Sequence, residues 1–341
     1  MRAAILGAGS LGTCMGAFIN TNGGDVELID ANREHVDTLN RHGATVIGNV
    51  DLKNVPVKAV TPDQMEGIYD LVIVLLKQTA NVKALPGLLP HLDEDSIVCT
   101  LQNGIPEENV ANIIGRERTI SGVMGWGAQW EAPGVSRYTT GPEVMYIELG
   151  DMEGEMGLKV RKAADYLKMQ GEVRINPNLT GIRWSKLVTN CALSGMSAVL
   201  GCTCGEVLDD DMAAACGVHV GQEVVRVATA MGIELPILVK GYDFYDLDFK
   251  NDAGRKRAVE WLRGYCNAQR GAKASMLQDM EKGIHCEIDF INGEACKYGS
   301  RNGIGTPFND TLVRIIKEFE AGNAAFPTKA NLNRFTIPNL S

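Results

Sequence analysis

The first half of the chain alternates short apolar runs with segments of helical periodicity. The apolar runs predict buried strands, and apolar residues recurring every three to four positions between them predict helices. The predicted strands are Arg2–Leu6, Asp25–Ile29, Leu71–Leu75, Ser96–Leu101 and Thr119–Met124. The predicted helices are Leu11–Asn20, Arg33–Arg41, Thr79–Leu89 and Glu107–Ile114. Repeated strand–helix alternation indicates a parallel sheet that is covered on both faces.

The pattern changes after this alternation. Two shorter runs, Val135–Tyr138 and Val144–Leu149, predict an antiparallel extension of the sheet, and a helix is expected at about Glu155–Met169. From about residue 179 to residue 322, apolar positions follow the 3.6-residue period almost throughout, which predicts an all-helical region. Within it, Lys240–Gly271 mixes charged and aromatic residues and fits either a long connection or an extra amphipathic helix.

A glycine-rich loop follows the first predicted strand. It has the spacing G-x-G-x-x-G and reads Gly7, Ala8, Gly9, Ser10, Leu11, Gly12. Gly7 permits a tight turn, Gly9 lets the backbone approach a pyrophosphate, and Gly12 lets the helix pack closely on the strand. The helix N-terminus adds unsatisfied N–H groups and the positive end of its dipole. Because a strand precedes the loop and a helix follows it, the motif predicts a Rossmann-type dinucleotide site.

The length of the chain fits two domains. Its 341 residues exceed what a single hydrophobic core usually supports. We therefore expect an α/β protein with a Rossmann-type parallel-sheet domain over residues 1–178 and an all-helical domain over residues 179–322. Residues 323–341 show no periodicity and are expected to form an extended tail.

Composition excludes several classes of partner. The formal charge of −9, with scattered lysines and arginines, argues against binding to nucleic acid or to an anionic membrane. No apolar run is long enough for a membrane span, and the chain begins directly with a strand, so we expect a cytoplasmic protein. The nine cysteines are interpreted as reduced thiols. One residue separates Cys202 from Cys204, which is too few for usual zinc-site spacing, and we expect no metal.

The end of the second predicted strand bears on the choice of dinucleotide. Asp30 stands about 20 residues after the glycine loop, where a carboxylate accepts hydrogen bonds from the ribose hydroxyls and repels a 2′-phosphate. NAD is therefore favoured. Asn32 and Arg33, just beyond it, leave NADP open, because they offer groups that a phosphate can bind.

Two later strand ends carry polar residues at the same predicted edge. Lys77 follows the strand that begins at Leu71, and Gln102 and Asn103 follow the strand that begins at Ser96. Ligands of open α/β sheets bind outside the carboxyl ends of the strands. Each feature alone also fits a solvated lysine or a plain turn, but together they indicate contacts on the nicotinamide side.

A polar stripe interrupts an otherwise apolar helix at the start of the second predicted domain. Lys186, Asn190 and Ser194 are spaced four apart, which places them on one face of an α-helix. A lysine in such a helix is unusual. It fits either a side chain that extends to solvent along an apolar surface or a functional group.

The whole set of motifs resembles the ketopantoate reductase (2-dehydropantoate 2-reductase) family over residues 1 to about 321. Besides the glycine loop, the matching segments are Leu76-Lys77, Gln102-Asn103-Gly104, Trp184-x-Lys186-x-x-x-Asn190, Ala274–Asp279, Glu287–Gly293 and Gly303–Pro307. The resemblance implies reduction of a 2-oxo acid, or oxidation of a 2-hydroxy acid, with a nicotinamide cofactor.

The same resemblance implies roles for individual residues. Lys186 is the catalytic general acid, and Glu287 is a catalytic residue that also lies near the cofactor ribose. Asn190, Ser194 and Ser275 bind substrate. The cofactor-binding positions are Gly7, Ala8, Gly9, Ser10, Leu11, Gly12, Asp30, Lys77, Asn103, Ala128 and Glu287, and Asn103 is expected to contact substrate as well.

Some positions depart from the family pattern. Ser194 and Cys204 stand where asparagines are common, and Asp30 differs from the non-acidic residue of NADPH-preferring members. The strand end Val123–Trp126 lacks the usual threonines. Because of these departures, the resemblance supports the reaction type more than it supports ketopantoate itself as the substrate.

The sequence leaves two other functions open. One is a β-hydroxyacid dehydrogenase of the hydroxyisobutyrate type, which also has a lysine and an asparagine four apart on a helix. Such enzymes lack the segments at 275–279 and 287–293. The other is a non-catalytic dinucleotide-binding protein, against which the joint presence of Lys186, Asn190, Ser275 and Glu287 argues. The sequence does not decide between a monomer and a homodimer.

Overall fold

The structure, a computed structural model, describes residues 1–141, 145–152, 154 and 156–340. Its strands are β1 Ala3–Leu6, β2 Val26–Ile29, β3 Ala44–Gly48, β4 Leu52–Val55, β5 Lys58–Val60, β6 Leu71–Val74, β7 Ile97–Thr100, β8 Thr119–Met124, β9 Ala128–Ala132, β10 Val135–Tyr138, β11 Tyr146–Gly150 and β12 Glu172–Ile175. Its α-helices are α1 Ser10–Thr21, α2 Arg33–His42, α3 Asn81–Ala84, α4 Glu107–Ile114, α5 Leu158–Leu167, α6 Leu179–Thr189, α7 Met196–Leu200, α8 Cys204–Asp209, α9 Asp211–Ala230, α10 Asp252–Tyr265, α11 Ser275–Glu281, α12 Asn292–Arg301 and α13 Pro307–Glu320.

The chain divides into two compact units, Met1–Leu179 and Thr180–Ser341. In the first unit the main sheet has the strand order β12-β11-β8-β7-β6-β1-β2-β5. Neighbouring strands run parallel, except that β11 is antiparallel to β8. The α/β fold class predicted from sequence is confirmed.

Both faces of the main sheet are buried at its centre, where β1 and β6 are apolar at every position. Along β1, Ala3 and Ile5 belong to the apolar core on one face, whereas Ala4 and Leu6 belong to the core on the other. Successive strand residues point to opposite faces, so a strand covered on both sides needs a continuous apolar run. This continuity made the central strands predictable.

A second, smaller sheet was not predicted. Its strand order is β4-β3-β10-β9, and α1 packs against it. The predicted run Val135–Tyr138 is β10, but it pairs parallel with β3 and antiparallel with β9 instead of extending the main sheet. The other predicted run forms β11, whose antiparallel pairing is as expected, although Val144 lies outside the described residues, as does Glu155 at the predicted start of the following helix.

The predicted helix Thr79–Leu89 is wrong as a single element. The chain forms instead a 3-10 turn at Gln78–Ala80, the short α3, and a 3-10 segment at Leu85–His91. Pro86 and Pro90 lack the N–H that a continuous α-helix requires, and their rings clash with the preceding turn. Proline therefore overrides the apolar periodicity here.

The second unit is built around α9. This 20-residue helix begins at the Asp210 cap, whose carboxylate accepts hydrogen bonds from two backbone N–H groups of the first turn. Helices α8, α10, α12 and α13 pack against it. The uncertain region 240–271 contains α10, the amphipathic alternative. Among the described residues, no helix has both the length and the apolar character needed to cross a bilayer.

The expected extended tail needs correction, because it folds back onto the helical unit. Lys329–Arg334 form a 3-10 helix, and the Asn331 amide donates to the Val199 carbonyl at 2.8 Å. Arg334 pairs with Glu318 at 2.7 and 2.9 Å. Phe335 is 6% exposed and stacks on Phe308. Side-chain contacts thus fix a segment in which periodicity gives no signal.

We predict that Phe335→Ala lowers the free energy of unfolding by about 3 kcal/mol, because it removes a buried aromatic ring. Phe326→Ala is the control in the same segment, since Phe326 is 39% exposed and should cost less than half as much. Thermal and urea denaturation of both variants measure the difference. Equal losses would contradict a docked tail.

Candidate active site

The glycine loop lies at the carboxyl ends of β1 and β2, as the motif predicted. The backbone N–H groups of Gly7 and Ala8 donate to the Ile29 carbonyl at 2.9 and 3.2 Å. Gly7 has φ +99°, and a Cβ there would lie 2.5 Å from the Leu76 backbone nitrogen. Glycine is required at this position both for backbone conformation and for space.

The other two loop glycines differ from each other. A Cβ on Gly12 would lie 2.3 Å from the Gly7 carbonyl oxygen, so Gly12 permits close packing of α1 on the loop. A Cβ on Gly9 would meet nothing within 4 Å. The fold itself therefore does not demand glycine at position 9. An open position at a helix N-terminus fits the place of a dinucleotide pyrophosphate, against which a side chain would project.

The remaining loop residues complete the start of α1. Ala8 is buried, whereas Ser10, the first residue of the helix, and Leu11 are partly exposed. The described N-terminus of α1 has no side-chain cap at Gly9 and no acidic residue in its first turn. An anion placed there would meet the positive end of the helix dipole without a competing carboxylate.

Asp30 follows β2 directly and is partly exposed. Its backbone N–H donates to the Val60 carbonyl at 3.1 Å, and its carboxylate accepts from the Asn32 N–H at 2.9 Å. Arg33 pairs with Asp63 on the surface at 3.1 Å. Arg33, which could bind the 2′-phosphate of NADP, is thus paired with the carboxylate of Asp63.

Amide side chains tie together the ends of β6 and β7. Gln102 donates to the Leu76 carbonyl at 2.8 Å and to the Asn81 side chain at 2.7 Å. Gln78 donates to the Asn103 carbonyl at 2.5 Å. Lys77 and Asn103, both partly exposed, are thereby held at adjacent strand ends in the same row as the glycine loop.

Ala128 belongs to the second sheet rather than to the edge of the main one. It is the first residue of β9, pairs with Tyr138 and is partly exposed. Nearby Trp126 is 5% exposed, packs edge-on against Phe18, and donates to the Gln170 side chain at 3.1 Å. The unusual Val123–Trp126 segment is therefore largely core.

Lys186 lies in α6 of the helical unit. Leu187 and Val188 beside it are buried, and the lysine itself is partly buried. Burial lowers its pKa from 10.5 to about 8, and the positive charge of Arg183, one turn earlier, acts in the same direction. Such a pKa gives the amine both protonation states near neutral pH, as a proton donor requires.

The polar stripe predicted at Lys186, Asn190 and Ser194 does not lie on one continuous α-helix. Asn190–Gly195 form a π-helix, so the four-residue spacing of Asn190 and Ser194 does not place them as it would in an α-helix. Both residues are nevertheless partly exposed, like Lys186, while Cys191, Ala192 and Leu193 between them are buried. Spacing alone gave no signal for this change of helix type.

The π-helix is held by buried amides. Asn292 donates to the Cys191 carbonyl at 3.3 Å and to Asn309 at 2.9 Å. Asn309 in turn donates to Glu223 at 2.8 Å. A Cβ on Gly195 would lie 2.9 Å from the Asn292 amide. Glycine therefore lets the amide approach the π-helix backbone.

Glu223 anchors the far end of this network. Its carboxylate accepts the backbone N–H groups of Phe308 and Asn309 at 2.8 and 2.9 Å, at the start of α13. Burial raises the pKa of Glu223 to about 7, and these hydrogen bonds oppose the shift. The network thus connects the beginning of α13 to the π-helix.

The other predicted residues of the helical unit lie on neighbouring elements. Ser275 is the exposed first residue of α11, which packs against the π-helix and α7. Glu287 is 5% exposed and immediately precedes the 3-10 turn Ile288–Phe290. Cys204, the first residue of α8, is buried, which raises its pKa to about 11. Within the described part of the chain, no three His, Cys, Asp or Glu side chains form a metal site.

Family models match both units. Residues 3–153 match the ketopantoate reductase PanE/ApbA model, and residues 178–320 match the ketopantoate reductase PanE/ApbA C-terminal model. This chain belongs to the ketopantoate reductase family. Membership confirms the predicted family and the predicted enzyme class, a nicotinamide-dependent oxidoreductase, and does not favour the other two functions considered above.

Individual relatives of this reductase agree. The 2-dehydropantoate 2-reductase of Pyrococcus abyssi is 31% identical over 324 residues, covering 94% of this chain and 98% of the relative. The solved 2-dehydropantoate 2-reductase of Geobacter metallireducens GS-15 is 28% identical, with a TM-score of 0.78 over 94% and 100% of the two chains. A D-mandelate dehydrogenase in complex with NADH and anilino(oxo)acetate, 24% identical, has a TM-score of 0.81 over 95% and 99%, a likeness in fold.

Sequence reasoning missed two buried residues behind the glycine loop of the reductase, Thr13 and His35. Both are 0% exposed, and both contact the Ala8 carbonyl, at 2.7 Å each. The apolar face of α2 is marked in the sequence by Val36 and Leu39, and the polar His35 beside them gave no signal that it is buried. The only hint was its position three residues after Asn32, whose side chain caps α2.

We predict that Gly9→Val abolishes measurable NADH binding while the fold survives, because the side chain enters the space assigned to the pyrophosphate. Gly87→Val is the matched control, since a Cβ there also meets nothing within 4 Å but lies in the 3-10 segment away from the loop. Titration of NADH by protein fluorescence, with circular dichroism for the fold, measures both. Native affinity in Gly9→Val would exclude this loop as the cofactor site.

Proposed function

We propose that this chain reduces a small 2-oxo acid to the 2-hydroxy acid, with NADH preferred over NADPH and Lys186 as the proton donor. The reaction class is that of the family. The observation that carries the residue assignment is the partial burial of Lys186 between apolar neighbours, with a pKa of about 8, one turn before the partly exposed amide of the π-helix.

The chain itself contributes a proton donor to the reaction. A bound reduced nicotinamide supplies hydride to the carbonyl carbon. Lys186 Nζ then donates its proton to the carbonyl oxygen, where negative charge develops, and becomes a neutral amine. We assign Asn190, Ser194 and Ser275 to hydrogen bonds with the substrate, and Glu287 to the orientation of Lys186 and the cofactor ribose.

The charges at the end of β2 support NADH. Asp30 offers a carboxylate to the two ribose hydroxyls and would repel a 2′-phosphate. Glu34 in the first turn of α2 and Asp63 opposite Arg33 add further negative charge to this surface. Lys77, Asn103 and Ala128 are assigned to the remainder of the dinucleotide.

The substrate is assigned only by class. Ser194 and Cys204 replace asparagines that the family commonly has, and the structurally similar D-mandelate dehydrogenase shows that this fold serves an enzyme named for another substrate. A panel of 2-oxo and 2-hydroxy acids that includes ketopantoate, assayed with both dinucleotides by nicotinamide absorbance, identifies the substrate. Lack of turnover across the whole panel would contradict the proposal.

We predict that Asp30→Asn raises the ratio of kcat/KM with NADPH to that with NADH by about tenfold, or ~1.4 kcal/mol, because one repulsive charge is removed. Asparagine retains an oxygen that can accept from the Asn32 N–H, so the loop geometry is kept. Asp63→Asn, at the Arg33 pair, is the control for general surface charge. A wild-type enzyme that uses NADPH as well as NADH would refute the cofactor preference.

We predict that Lys186→Ala lowers kcat by 10² to 10⁴, roughly the contribution of general acid catalysis, with the Kd for NADH little changed. Lys186→Arg should also be poor, because a guanidinium keeps its proton near neutral pH. A folded Lys186→Ala enzyme that keeps more than about a tenth of wild-type kcat would indicate a lysine that merely extends to solvent.

The pH profile gives the same assignment a second readout. Because the proton donor must be protonated, kcat/KM for reduction should fall as pH rises through about 8, the pKa of Lys186. Oxidation of the 2-hydroxy acid needs the neutral amine and should rise over the same interval. Both dependences should disappear in the residual activity of Lys186→Ala.

A further inference from the structure

A buried histidine lies directly behind the cofactor loop. His35, near the start of α2, is 0% exposed, and its Nε2 lies 2.7 Å from the Ala8 carbonyl oxygen and 3.2 Å from Thr13 Oγ1. The Thr13 hydroxyl donates to the same carbonyl at 2.7 Å. On its other side, His35 Nδ1 accepts the Gly134 N–H at 2.9 Å. Every ring nitrogen therefore has a partner.

These contacts determine the tautomer. The Gly134 N–H is a donor, so Nδ1 must be the acceptor and carries no proton. Nε2 then carries the proton and donates it to the Ala8 carbonyl. Burial lowers the pKa of His35 below its usual value, in agreement with a neutral ring. His35 thus bridges the glycine loop and the turn between β9 and β10.

The hydrogen bonds to Ala8 orient one peptide group of the loop. A trans peptide is planar, so its carbonyl and the following N–H point in opposite directions. When the Ala8 carbonyl is held inward by His35 and Thr13, the Gly9 N–H must point the other way. Gly9 is also the position where a Cβ would enter open space. A flipped peptide would instead turn a carbonyl oxygen toward the pyrophosphate.

We propose that His35, supported by Thr13, is a positioning residue that keeps the Gly9 N–H directed at the dinucleotide pyrophosphate. The proposal rests on the assignment of the glycine loop to the cofactor under the proposed function. It predicts that the bond from Nε2 to Ala8, rather than burial of the ring, determines dinucleotide affinity.

Two substitutions distinguish the roles of the two ring nitrogens. In His35→Gln, the side-chain amide nitrogen can reach the position of Nε2 and donate to Ala8, while the acceptor for Gly134 is lost. In His35→Asn, the amide oxygen can occupy the position of Nδ1 and accept from Gly134, while the donor to Ala8 is lost. Both variants remove the aromatic ring, so loss of packing is common to them.

The experiment measures the Kd for NADH by fluorescence titration, the KM for the 2-oxo acid at saturating NADH, and the melting temperature. We expect His35→Asn to weaken NADH binding at least tenfold and His35→Gln less than threefold, with a smaller change in the KM for the 2-oxo acid than in the Kd in both. Equal losses of NADH affinity, or a larger loss in His35→Gln, would overturn the proposal.

Thr13 gives an independent test if either histidine variant fails to fold. Thr13→Val keeps the shape of the side chain and removes the hydroxyl donor, and it should weaken NADH at least threefold. Thr13→Ser keeps the hydroxyl and should bind NADH with nearly wild-type affinity. Unchanged affinity in Thr13→Val, or a loss in Thr13→Ser as large as in Thr13→Val, would refute the proposal. Gly9→Val distinguishes failure of the His35 proposal from failure of the cofactor-site assignment. If Gly9→Val loses NADH binding while the two His35 variants bind NADH with equal affinity, only the role of His35 is refuted. If Gly9→Val binds NADH normally, the assignment of the glycine loop to the cofactor is refuted.

Discussion

The close approach of backbone segments at the glycine loop is the constraint on which the N-terminal unit depends. Gly7 holds a positive φ with its α-carbon against the Leu76 backbone, and Gly12 lies against the Gly7 carbonyl. A side chain at either position would separate β1 from β6 or lift α1 from the sheet. The helix N-terminus, the acid after β2 and the amides after β7 share one edge only because these contacts are so short.

The helical unit depends on a different kind of constraint, a buried network of amide and carboxylate hydrogen bonds. Its amide network begins at a π-helix carbonyl and ends at the carboxylate that receives the first N–H groups of α13. A π-helix interrupts the regular i→i−4 pattern, and buried backbone groups left without partners are costly. Asn292 supplies such a partner to the Cys191 carbonyl. The π-helix and the start of α13 are therefore held by one network.

The sequence predicted the parts of the molecule that depend on local patterns. Continuous apolar runs gave the central strands, and the glycine spacing, because its reasons are steric, gave the loop. It failed locally at 79–89, where Pro86 and Pro90 override the apolar periodicity. It also failed where distant contacts decide: the second sheet needed pairing between residues 44–55 and 128–138, and the tail is fixed by Asn331 and Phe335. His35 was missed for the same reason, since its partners come from three separate segments.

The π-helix has a consequence for how family members can diverge. It contains Asn190, which matches the family pattern, and Ser194, which stands where the family commonly has an asparagine. The π-helix lies between Lys186 of α6 and the buried helix α7. Loss of a single residue within Asn190–Gly195 would allow a continuous α-helix and change the angular phase of Ser194 relative to Lys186. Under the proposed assignment of Lys186 and Ser194, length variation in this segment would change substrate selectivity without any exchange of the side chains around it.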